Sequence, residues 1–166
     1  MLRSCFAAFV FSLWPAVAWA VDHRVEPLAS PAPADAVSPQ IAALLAPSGV
    51  KVIRGSTRTV CEIWLCKEWA TQDGKLPSGV NYPFQPGQLM GVIRFPKKGG
   101  DFRDQDIAEG VYTMRYGQQP VDGAHVGTSA TRDFLLLLKA DQDKSPAVIE
   151  YKPLPTLATQ WGHAPL

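Results

Sequence analysis

The stretch Thr57-Arg-Thr-Val-Cys-Glu-Ile-Trp-Leu-Cys-Lys67 decides the fold. Its residues alternate: Cys61, Ile63 and Leu65 fall on one face, and Glu62, Trp64 and Cys66 on the other. That is the two-residue period of a strand, not the 3.6-residue period of a helix. The same character recurs on either side. Val50-Lys-Val-Ile-Arg54 runs up to Gly55, and Leu89-Met-Gly-Val-Ile-Arg-Phe95 is rich in β-formers and halted by Pro96 and Gly99-Gly100. Val111-Tyr-Thr-Met-Arg-Tyr116 follows Gly110. Phe134-Leu-Leu-Leu-Leu138 is a continuous apolar run too short for a helix and reads as a central strand. Ala147-Val-Ile-Glu-Tyr151 reads as one more. Short strands punctuated by 15 prolines and 13 glycines predict a mainly β fold, a single antiparallel β-sandwich domain over residues 38–166.

Upstream of the strands the composition changes. Ser38-Pro39 has the form of an N-cap followed by proline at the first helical position, which predicts one short N-terminal helix over Gln40–Ala46, stopped by Pro47 and Gly49. Residues 21–37 are rich in Pro and Ala without apolar periodicity and read as a disordered leader. Residues 1–20 combine a basic Arg3, an apolar run from Cys5 to Trp14 and an Ala18-x-Ala20 site, which together form a secretory signal peptide. The expected location is periplasmic or secreted, after cleavage near Ala20. The apolar run is too short for a membrane anchor, because Asp22, His23 and Arg24 end it, and no transmembrane segment is expected in the mature chain.

Charge narrows the partners. The 16 Lys and Arg nearly balance the 15 Asp and Glu, for a net charge of +1. A chain this neutral, without a basic run in sequence, argues against nucleic acid as partner and leaves a small molecule, a glycan or a protein. Of the cysteines, Cys61 and Cys66 survive signal removal. On one strand they stand about 16 Å apart on opposite faces. A disulfide needs Cα atoms within about 7 Å, so they are expected to be free thiols.

Gly110-Val-Tyr-Thr-Met-Arg-Tyr116, Pro120-Val-Asp-Gly-Ala-His-Val-Gly127 and Arg132-Asp-Phe-Leu-Leu-Leu137, taken with Cys61–Leu65 and Gly91–Pro96, resemble an uncharacterised family of exported bacterial β-sandwich proteins. The resemblance spans roughly residues 40–165 and implies export and a β-sandwich. It implies no reaction and carries no catalytic residue.

Two connections, 68–87 and 117–131, are long for loops without regular structure, and such loops often carry function. If the strands alternate in direction, both loops leave from one pole and the 96–110 connection lies at the other. The first holds Trp69, Tyr82 and Phe84, aromatics suited to stacking on a flat ligand or to closing the end of a core. The second holds Asp122 and His125 and leads into Arg132. His125 is a candidate general base, metal ligand or ligand-orienting donor, set against an ordinary loop histidine beside the Asp122-Gly123 turn. A transition metal is possible on His125 and His163, with Cys61, Cys66, Met90 or Met114 as softer ligands, but no ligand spacing defines a site. The acidic run from Asp101 to Glu109 misses the calcium-loop spacing, and Gly127-Thr-Ser129 lacks the second glycine of a nucleophile elbow. No cofactor is expected. Six residues form the candidate ligand site: Trp69, Tyr82, Phe84, Asp122, His125 and Arg132. The leading expectation is an exported, non-enzymatic binding module. The alternatives are a periplasmic metal-binding protein centred on His125 and a small hydrolase using His125 and Asp122.

Overall fold

The computed structural model describes residues 22–101, 105–119 and 131–150. The proposed signal peptide, residues 1–20, lies outside them. The described chain is mainly β. Its elements are β1 (His23–Leu28), α1 (Pro39–Ala42), β2 (Gly49–Arg54), β3 (Arg58–Leu65), β4 (Leu89–Phe95), β5 (Gly99–Gly100), β6 (Asp106–Ile107), β7 (Gly110–Gln118) and β8 (Asp133–Lys139). Six of the strands form one antiparallel sheet in the order β1-β2-β3-β4-β7-β8, and β5 pairs with β6 in a separate two-stranded ribbon. Where a sandwich would set a second large sheet, the described residues supply loops, a helical turn and a strap. The segment 147–150 forms no strand but belongs to that strap.

Alternation along β3 divides the core as the sequence implies. Trp64 and Cys66 join Leu89 and Val92 on one face, beneath Val37, Ile41 and Leu45. Cys61 lies on the other face with Ile93, Tyr112, Met114 and Tyr116, and Ile63, Trp69 and Phe84 pack against them. Cys61 in β3 and Cys66 just past its end are both free and buried, in the two different core clusters. Burial pushes both thiols up from their ordinary pKa, because an apolar setting disfavours the thiolate. Met90 and Met114 are core residues.

Residues 22–37 depart from expectation. They are built into the fold, not a flexible leader. β1 pairs along its length with β2, from His23 opposite Arg54 to Leu28 opposite Gly49. The indole of Trp64, 1% exposed, donates to the Ser30 carbonyl at 2.8 Å. The turn after Pro33 then carries Val37 into the core. Composition hid this because β1 is an edge strand. It buries little, so it needs no apolar alternation, and an edge tolerates Pro27. α1 begins as its cap predicts, with the Ser38 hydroxyl accepting from the Ile41 N–H, but it is a single turn that ends at Ala42.

A second correction concerns β8. It is a strand, but among the described residues it lies at the edge of the sheet, paired with β7 alone. Its side chains divide accordingly: Leu138 is buried at 4% exposure, whereas Leu135 is 52% exposed. Beyond β8, residues 140–149 fold back across the sheet and are held by Arg115, itself 1% exposed. Nε and Nη2 of Arg115 each donate to the Asp143 carboxylate at 2.8 Å, and Nη1 and Nη2 also donate to the carbonyls of Gly87, Ser145 and Ala147. A guanidinium has to be satisfied in this way to be buried without a large desolvation penalty.

Candidate functional site

Because successive strands of the sheet are antiparallel, the 66–88 and 119–132 connections leave from the same end. Backbone contacts at their described ends join them. Arg132 N–H donates to the Gly79 carbonyl at 2.8 Å, and Asn81 N–H donates to Asp133 Oδ2 at 2.9 Å. The first loop is pinned along its course. Trp69 Nε1 donates to the Met90 carbonyl at 3.1 Å, Gln72 N–H to Pro83 at 2.7 Å, and Gln88 Nε2 to Ala70 at 3.0 Å. It returns to the sheet through Gly87, at φ 88°, where an added Cβ would lie 1.9 Å from the Ile149 carbonyl oxygen. Only glycine fits there, because the strap crosses directly above it.

The aromatics form a continuous run. Trp69 and Phe84 meet with ring centroids 5.8 Å apart, Phe84 stands edge-on to Tyr116 at 5.6 Å, and Tyr82 lies parallel to Phe84 at 5.9 Å. Their burial is graded. Trp69 and Phe84 pack against the core, whereas Tyr82, at 53% exposure, presents its ring to solvent. Tyr82 and Phe84 are two residues apart in the chain, and their rings face each other with an interplanar angle of 3°.

Beneath these rings is a polar contact between loop and sheet. The Tyr116 hydroxyl donates to the Asp133 carboxylate and accepts from Gln118 Nε2 at 3.2 Å. Burial, and then the Asp133 carboxylate, push the Tyr116 phenol up to about 12. It therefore stays protonated near neutrality and acts as a donor, not a base. Arg132 ties the two loops together: its Nε donates to the Gln119 carbonyl at 2.8 Å, and its stem packs beside Gly79.

Of the residues expected from sequence, Trp69, Tyr82, Phe84 and Arg132 thus share one pole. Asp122, His125 and His163 lie outside the described residues. Among the described residues no group of three or more His, Cys, Asp or Glu side chains is placed to hold a metal ion. Sequence reasoning missed Tyr116 and Gln88 as parts of the site. The available signal was position: Tyr116 ends the alternating run Tyr112, Met114, Tyr116 at the strand terminus that feeds the second loop. No family model matches the sequence, and neither the curated proteins nor the solved structures include a match to it.

Proposed function

We propose that this chain is an exported, non-enzymatic binding module in which a sandwich-like β scaffold displays an aromatic platform at one pole. The observation that carries this reading is the Tyr82–Phe84 stack, whose outer ring is exposed while the inner ring is anchored against Tyr116 and Trp69. An exposed aromatic ring held rigid from below offers a flat apolar surface at little entropic cost, which suits a ligand with a flat or ring-shaped face, such as a sugar. Backbone carbonyls and Arg132 around the platform provide polar groups for orientation. The signal-peptide pattern of residues 1–20 supports export.

The test is retention of the purified protein on a panel of insoluble polysaccharides, read by depletion from solution. Tyr82→Ala should abolish retention on any member that binds, with stability changed by less than about 1 kcal/mol, since an exposed ring contributes little to the core. Retention that survives Tyr82→Ala, or failure of the whole panel to retain the protein, overturns the platform.

A further inference from the structure

The pole opposite the aromatic loops carries a different surface. The β2–β3 hairpin, the start of β1 and the residues around the β5–β6 ribbon enclose a groove of about 620 Å³. Its register is unusual. His23 stands opposite Arg54, and Arg54 stands opposite Arg58, so three basic side chains form one row across three neighbouring strands. Like charges placed directly opposite each other on a sheet are destabilising. Lys97 and Lys98 line the same groove. Lys98 is paired with Asp106 at 2.5 Å, and Asp101 accepts from the Gln105 N–H at 2.8 Å. The side chains of Arg54, Arg58 and Lys97 have no ion-pair or hydrogen-bond partner among the described residues. In a chain with net charge of only +1, Arg54, Arg58, Lys97 and Lys98 outnumber the two carboxylates of the groove, Asp101 and Asp106, so the excess of positive charge is local and not a by-product of composition.

We propose that the groove binds a small soluble anion carrying more than one phosphate. Two guanidiniums present planar forks that match phosphate oxygens in pairs, and Lys97 adds a point charge. The volume lies within the range of ordinary ligand pockets and exceeds what one phosphate would fill. Concavity favours a discrete soluble ligand over a flat lipid surface. The bound anion would also relieve the repulsion between Arg54 and Arg58, so ligand binding and local stability are coupled. This site is separate from the aromatic platform and does not depend on it.

Calorimetric titration of the purified protein with inorganic tripolyphosphate is the direct test. Binding should weaken as salt rises, and Arg54→Gln or Arg58→Gln should each weaken it about tenfold, the equivalent of losing one charge-assisted hydrogen bond. Lys75→Gln, in the loop at the opposite pole, should leave it unchanged. Without phosphate, the melting temperature of Arg58→Gln should equal or exceed that of the parent, because one of two opposed charges is gone. Added tripolyphosphate should raise the parent's melting temperature more than the variant's. No binding at millimolar tripolyphosphate would overturn the proposal. So would affinity indifferent to Arg54 and Arg58, or binding only to phosphatidylglycerol vesicles and not to the soluble anion.

Discussion

Tyr116 belongs at once to the sheet, to the aromatic cluster and to the contact that joins the two loops. Its phenol is raised from 10.0 to about 12, by burial first and by the Asp133 carboxylate second. The neutral form is therefore favoured in the folded protein relative to the unfolded chain. This contribution to stability is fully present below pH 10.0 and is lost as pH rises from there to about 12, as the folded protein comes to hold no more protons than the unfolded one. Its full size is on the order of 2 kcal/mol. Tyr116→Phe should be less stable than the parent at neutral pH, and the gap should close across that alkaline window. Urea midpoints of both proteins at neutral and alkaline pH decide it, and a gap constant with pH would mean that the hydroxyl is solvated. Position along β7 marks Tyr116 in the sequence, but its partner does not stand out. Asp133 sits beside Arg132 in sequence, yet the two side chains engage different neighbours.

Strands with a buried face on each side were the most legible elements, because alternation leaves a signal on both. β3 and β4 fall close to where the pattern places them, and Trp64 is buried as its period requires. Edge strands were read poorly, in opposite ways. β1 was hidden by Pro27 and its exposed side chains, and β8 looked central because its apolar run is unbroken. Five apolar residues in a row show that a strand is present, not how many neighbours it has. The register with β7 separates the residues: Leu138 lies opposite the buried Thr113, and Leu135 lies opposite Tyr116 on the other face. Leu138→Asp should therefore cost several kcal/mol and threaten folding against a total of about 5–15 kcal/mol. Leu135→Asp should cost under about 1 kcal/mol. Thermal melts of the two variants separate an edge strand with one buried face from a central strand, in which both would unfold.

Taken as a whole, the molecule is a sequential antiparallel sheet whose two poles differ in chemistry, aromatic at one end and cationic at the other. The polarity of the loops was legible, since antiparallel pairing alone puts alternate connections at the same end. The covering layers were not, because they depend on contacts with no local pattern: the Ser30 carbonyl on Trp64, and Arg115 beneath the strap. The N-terminal layer has a consequence for maturation. The described residues enter the sheet at once, since the Asp22 carbonyl accepts from the Gly55 N–H at 2.8 Å and β1 starts at His23. On the export reading, cleavage after Ala20 removes the signal and spares every contact of the sheet among the described residues. A chain beginning at Val21 should then unfold cooperatively, with the same urea midpoint as one that retains residues 1–20. A chain beginning at Ala32 loses β1 and the Ser30 carbonyl, leaving the Trp64 indole N–H unpaired and the apolar surface under Leu28 open. Stranding a buried donor and uncovering one apolar side chain together cost about 2–4 kcal/mol. The truncated chain should show that loss as a lower midpoint and as new binding of a hydrophobic dye. Equal midpoints for the Val21 and Ala32 chains would show that residues 22–31 add nothing to stability and would return them to the role of a leader.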